Sequence, residues 1–262
     1  MSTVFIPLNA FSNEFGLQED IDYYISLIAK SHADGIEIRR ELLDSSSIKN
    51  EIKKISTRLK DCSLFTVYSA PVPLWKEDHS FNEETLTTIF EECKLLQAPW
   101  LKLPLGHFHN ENSNIDALSL FLQKYSSIEL LIENDQTIEG GKIKNLFAFF
   151  KRVDKSKLPI KMTFDIGNWI YLEEQPLEAA ELFAPYVCYY HLKKVMGQNN
   201  QLVAVPISIE ENPIWKTVDE KYFSNLAKAL EFPLKPVVSE INSYIDLVKE
   251  KDIERKKPLC KQ

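Results

Sequence analysis

The stretch LLIENDQT, Leu130 to Thr137, runs three large apolar residues straight into a carboxylate, an amide and a second carboxylate. Such a run reads as a strand crossing a core, and the abrupt polar change marks its carboxyl end. Glu133 therefore sits where a buried strand emerges, and it raises the question of what else converges there. The same rhythm recurs along the chain. Upstream lie TVFIPLN at 3–9, GIEIRR at 35–40, LFTVYSAP at 64–71 and WLKLPLG at 100–106; downstream lie IKMTFDIGN at 160–168, VCYYHLKKV at 187–195 and KPVVSEIN at 235–242. With IELLIEND at 128–135, these are eight candidate strands.

Between them, apolar residues fall three and four apart, the period of a helix with one buried face. Ile21, Tyr24, Ile25 and Ile28 make one such face, and Leu86, Ile89, Phe90 and Cys93 another. Helices alternating with nearly continuous apolar strands predict a parallel sheet covered by helices. Eight units predict a closed (β/α)8 TIM barrel formed as a single domain over residues 1–262. An open doubly wound sheet is the rival, but the first connector, LNAFSNEFGLQED, has no GxGxxG fingerprint. The segment 196–218 is the extra length, read as a long top-face loop with room for a short hairpin.

Composition sets outer bounds. The 262 residues are 44% hydrophobic, enough for a large core. No run approaches a membrane span, and the start MSTVFIPLNAF lacks a basic region followed by an apolar one. Four scattered cysteines without a CxxC pair suit a reducing cytoplasm better than a disulfide scaffold. A net charge of −7 gives no long-range attraction for nucleic acid. The basic run ERKKPLCK at 254–261 reads as an ordinary charged tail. Helices on the outer ring leave room for a homodimer or higher homo-oligomer.

In such a barrel the carboxyl ends of the strands form the chemical face. The polar residues there are Glu37 and Arg39 on the second strand, Lys102 and His107 near the end of the fourth and Glu133 on the fifth. Asp165 and Asn168 follow the sixth, His191 and Lys193 the seventh, Glu240 and Asn242 the eighth. The strand period of two puts His191 and Lys193 on one face and Lys194 on the other. Glu133, Asp165, His191 and Glu240 would end four consecutive strands. Taken singly, they read as a loop residue, a helix cap, a half-buried histidine and a lysine's partner. Their equivalent positions on successive units favour convergence instead. Three neighbouring carboxylates need compensation by protonation, a cationic side chain or a metal. Three oxygens and one imidazole match Mn2+, Mg2+, Zn2+ or Co2+, and the carboxylate-rich set leans toward a hard ion without choosing among them; Mn2+ is the expected one. Trp75 and Trp169, just past strand ends, are candidate walls for a sugar ring.

The succession DGIEIRR, LLIENDQT, FDIGNW, YYHLKK and VVSEIN resembles the xylose isomerase-like TIM-barrel superfamily of sugar isomerases and epimerases, inosose dehydratases and endonuclease IV relatives. The resemblance spans essentially the whole chain and lies in the order and spacing of the motifs. It implies a divalent metal held by Glu133, Asp165, His191 and Glu240, with Glu133 and Glu240 as the acid–base pair of an isomerase or epimerase working through an enediolate. Glu37, Arg39, Lys193, Asn168, His107, Trp75 and Trp169 complete the expected carbohydrate site. A metal-dependent dehydratase and a non-catalytic sugar-binding or interaction protein are the alternatives. Two departures motivate the last: Lys194 stands where relatives carry the aspartate of H-x-K-D, and Asn168 where epimerases often carry histidine. Five histidines in all leave little for the three-zinc cluster of the endonuclease branch.

Overall fold

Gly35 to Arg39, GIEIR, shows how the pattern builds the sheet. Ile36 and Ile38 point outward and are buried under the helices, while Gly35, Glu37 and Arg39 turn inward. A side chain at Gly35 would strike the Phe5 ring, so glycine is what lets the aromatic fill the interior. The computed structural model describes residues 3–13, 16–199, 201–208 and 213–254, with side chains described to residue 249.

The strands are β1 (Val4–Pro7), β2 (Gly35–Arg39), β3 (Phe65–Ser69), β4 (Trp100–Pro104), β5 (Glu129–Glu133), β6 (Ile160–Asp165) and β7 (Val187–Leu192), then β8 (Lys194–Gln198), β9 (Gln201–Val205) and β10 (Ala227–Leu230). The main helices are α1 (Ile21–Ala29), α2 (Ile48–Cys62), α3 (Glu83–Leu96), α4 (Ile115–Gln123), α5 (Ile138–Gly141), α6 (Ile143–Ser156), α7 (Ile166–Tyr171), α8 (Pro176–Phe183), α9 (Ile214–Val218) and α10 (Val238–Glu254). The parallel barrel closes in the order β1-β10-β7-β6-β5-β4-β3-β2, and β8 and β9 form a separate antiparallel hairpin. This is the (β/α)8 barrel expected from the sequence. The hairpin occupies the first half of the expected top-face loop; residues 209–212 lie outside the described ones. The charged tail at 255–262, with Cys260, also lies outside them. Among the described residues no helix is long and apolar enough to cross a membrane.

Seven of the eight expected strands form, and the eighth is a correction. KPVVSEIN is not a strand: Val238 opens α10, whose buried face is Ile241, Ile245 and Val248 at helical spacing. The true eighth strand is AKAL at 227–230, which pairs with β7 on one side and β1 on the other. It escapes a search for apolar runs because Lys228 stands in its middle. That lysine points outward, is fully buried, and pairs with Asp219 at 3.0 Å.

Inside the barrel two layers are stacked. The lower one is apolar: Phe5, Val67, Leu131, Tyr189 and Ala229, with Trp100 packed against them. The Phe5 and Tyr189 rings meet edge to face at 5.3 Å, as aromatic quadrupoles favour. Two residues further along the strands comes a polar layer. Gly35 is followed by Glu37, Trp100 by Lys102, Leu131 by Glu133, Tyr189 by His191 and Ala229 by Glu231. Thr163 leads likewise to Asp165. The pleat thus delivers six ionisable side chains to one level at the carboxyl end of the barrel.

Candidate functional site

The polar layer is a mesh of opposite charges around His191. Its Nε2 lies 3.1 Å from Glu37 Oε2, and its Nδ1 lies 3.3 Å from Glu133 Oε1, 3.2 Å from Glu231 Oε2 and 3.8 Å from Asp165 Oδ2. Lys102, 1% exposed, reaches across from β4 to donate to Glu133 at 2.8 Å and to pair with Glu37 at 2.9 Å. Lys193, one pleat beyond His191, sits 2.6 Å from Asp165 Oδ2 and 3.0 Å from Glu231 Oε2. Arg39 donates to Glu37 at 3.2 Å and to Glu231 at 3.1 Å. Four carboxylates therefore face three permanent cations and one imidazole.

These contacts fix the charge states. Burial alone would pull the Lys193 ammonium down, but Asp165 and Glu231 outweigh it and hold the ammonium well above its ordinary value. Burial would raise Glu37, yet Lys102 and His191 hold it well below the usual carboxylate range. Asp165 goes the other way: burial pushes it up to about 7 despite Lys193. For His191, burial and Lys102 work downward, and Glu37 and Glu231 prevail, lifting it to about 9. A histidine raised from 6.5 contributes stability that is full below pH 6.5 and is lost as pH rises through 9. Urea unfolding of chelator-stripped protein should therefore show stability falling by about 3 kcal/mol across that window, and His191→Gln should flatten the slope. An unchanged slope would refute the imidazolium.

Local turns position the ligand-like groups. Asp165 ends β6 and caps α7 with Oδ1, which accepts from the Asn168 N–H at 2.9 Å, leaving Oδ2 free to face the cluster. Asn134 clamps the Asp165 peptide, donating to its carbonyl and accepting from its N–H, both at 2.8 Å. Asn168 donates to the Asn134 carbonyl at 2.8 Å and accepts from Gln136 at 3.0 Å. The β5 and β6 ends are thereby locked in one register.

Above the mesh opens a cavity of about 680 Å3. Arg39, Glu133, Lys193, Glu231, Asn168 and His107 line it. Its apolar wall is made of prolines 71, 73, 104 and 233 with Phe232. The volume suits a small organic ligand.

Several sequence expectations need correcting here. Glu240 is not at the site: it lies in the first turn of α10, where it accepts from the Lys235 N–H at 3.1 Å. Glu231, directly after β10, takes the place expected for it. Trp75 and Trp169 are fully buried and line no wall; Trp75 packs on Phe81 and Phe108, Trp169 on Phe164 and Phe183. Glu37 is sealed beneath His191 and does not reach the cavity. Asn242, also on α10, accepts from the His32 N–H. Glu133, Asp165, His191, Lys193, Arg39, Asn168 and His107 do converge. Glu231, Asn134 and the bridging role of Lys102 were missed.

The donor set has the chemistry of a divalent-cation site. One ligand atom from each of Glu133, Asp165, His191 and Glu231 lies within 4.8 Å of the others. His191 Nδ1 is buried without a hydrogen-bond partner, and Asp165 Oδ2 is buried with the Lys193 ammonium 2.6 Å away as its ion-pair partner. Glu37 on Nε2 would orient the imidazole with Nδ1 toward the cluster, as carboxylates do behind metal-bound histidines. These residues fit such an ion.

No family model matches the chain, and neither does any curated protein. Solved structures do. A xylose isomerase domain containing protein from Salmonella typhimurium LT2 gives a TM-score of 0.69 at 14% identity, over 94% of this chain and 97% of that one. This chain carries the xylose isomerase-like barrel fold. An L-ribulose 3-epimerase gives 0.69 at 15% identity over 100% of both chains. The IolI protein, solved with a bound zinc atom, gives 0.67 at 14% identity over 97% of each. At this identity the likeness is one of architecture. In this chain two lysines, Lys102 and Lys193, stand among the carboxylates of the site.

Proposed function

We propose that this protein is an isomerase or epimerase of a sugar or sugar-like polyol ketone, with a divalent cation held by Glu133, Asp165, His191 and Glu231. The observation that carries this reading is the convergence of those four donors under an open cavity. When bound, the cation would act as a Lewis acid, polarising a carbonyl oxygen so that the neighbouring carbon gives up its proton more easily. Glu133 and Glu231 rise from β5 and beyond β10, three staves apart with β6 and β7 between them, and both border the cavity. One takes the proton and the other returns one on the far side, which inverts the carbon. Lys102 balances the charge of Glu133, and Arg39 and Lys193 balance that of Glu231 and present donors to substrate oxygens. Gln136, Asn168 and His107 supply polar contacts around the wall, and the prolines with Phe232 exclude water from one side.

One observation favours a second reading. Every carboxylate of the donor set already has a protein cation beside it: Lys102 at Glu133, Lys193 at Asp165, Lys193 and Arg39 at Glu231. A barrel neutral in itself can bind a sugar without turning it over. Incubation with Mn2+ and a panel of ketoses and inososes in D2O separates the readings. Deuterium gained by recovered substrate or its epimer supports the isomerase. An absorbing enone marks water loss, a dehydratase. Saturable binding with no deuterium and no new product leaves the binding protein.

A further inference from the structure

Lys193 is seated by more than its ion pairs. Its stem crosses the start of α7 at Gly167, where a Cβ would lie 2.5 Å from Lys193 Cε, 2.6 Å from Lys193 Cγ and 2.9 Å from Val195 Cγ2. Gly167 has no need of positive φ, so its value here is space: a larger residue would crowd the path along which the lysine reaches Asp165. On the other side Val195, from the hairpin strand β8, holds the stem in place. At the end of the channel Nζ is 93% buried with its residue and touches two of the four converging donors, Asp165 Oδ2 at 2.6 Å and Glu231 Oε2 at 3.0 Å. Glu133, a third donor, is paired with Lys102 instead.

We propose that Lys193 is a built-in competitor for the divalent cation: its ammonium holds Asp165 and Glu231 when no ion is bound, and an ion binds only as that ammonium withdraws. The inference rests on the metal reading above and adds to it a residue that sets the affinity. Coulomb repulsion carries the argument. An ammonium 2.6 Å from a carboxylate oxygen would stand within a few ångströms of a dication bonded to that oxygen, in a buried site where charges are poorly screened. Both cannot keep their places. The cavity that Lys193 itself lines gives the displaced chain somewhere to go. The same lysine lets Asp165 and Glu231 stay folded together before any ion arrives, and the barrel then binds its metal more weakly than the donor set alone would.

Calorimetric titration of chelator-stripped protein with Mn2+ alone tests this, in the parent, Lys193→Met and Gly167→Ala. Removing the ammonium should tighten Mn2+ binding by about tenfold or more. Gly167→Ala, which keeps the charge but crowds its channel, should shift affinity in the same direction by a smaller factor, and it carries the test should Lys193→Met fail to fold. Equal affinities in all the proteins, or weaker binding on losing the lysine, overturn the competitor role while leaving the metal site intact. No Mn2+ bound by any of them overturns the metal reading and the competition together.

Discussion

Glu231→Gln should abolish tight divalent-cation binding and cut proton-transfer turnover by about 10²–10⁴-fold, while Glu240→Gln should leave both within about twofold. The contrast follows from where the two glutamates stand. Glu231 follows β10 by one residue, shares the inward face with Ala229, and places Oε2 3.2 Å from His191 Nδ1. Loss of its charge removes one donor and one half of the proposed acid–base pair at once. Glu240 lies on α10, where among the described residues its carboxylate meets the Lys235 N–H and, at 3.6 Å, that residue's 80%-exposed side chain. An exposed pair of that kind is worth little. Mn2+ titration and deuterium uptake, run side by side on both variants, decide the matter. Full activity in Glu231→Gln would remove the residue from the mechanism.

That contrast also shows where sequence reading succeeded and where it failed. The ends of β5, β6 and β7 were legible because long apolar runs break sharply into Glu133, Asp165 and His191. β10 was not, since its interior positions are Ala227 and Ala229, and its outward position is a lysine. Small residues suffice there because Phe5 and Tyr189 already fill the barrel beside Ala229. The usable signal was the alternation A-K-A-L-E, with one small face running into a carboxylate. VVSEIN was the more persuasive strand until Ile241, Ile245 and Val248 are read together; that spacing belongs to a helix. Trp75 and Trp169 fail for another reason. Their positions past strand ends place them at the correct end of the barrel, but only tertiary packing decides whether a loop covers them. Lys102 was visible as a charge inside an apolar run, and a mid-strand lysine facing a barrel interior can stay only with carboxylates around it.

Those carboxylates make Lys102 the residue whose loss should cost the fold most. Lys102→Met should destabilise the chelator-stripped protein by about 3–5 kcal/mol, the usual cost of breaking a buried ion pair from one side. The lysine is all but completely buried, and it bridges Glu37 at 2.9 Å and Glu133 at 2.8 Å. Burial would draw its charge off, and Glu133 and Glu37 together hold the ammonium above its ordinary value. Methionine fills much the same volume, so the loss is electrostatic rather than a cavity. Two carboxylates would then face each other in a low-dielectric layer, with His191 their nearest remaining cation. Neutralising one of them should restore part of the loss: Glu37→Gln in the Lys102→Met background should recover about 1–3 kcal/mol, whereas Glu37→Gln alone should destabilise, because it takes one carboxylate partner from each of Lys102, Arg39 and His191. Urea unfolding of the parent, both single variants and the double variant at neutral pH gives the coupling directly. Additive losses would mean that the two side chains act independently, and Lys102 would no longer be the counter-ion that lets a ring of glutamates sit on an aromatic floor.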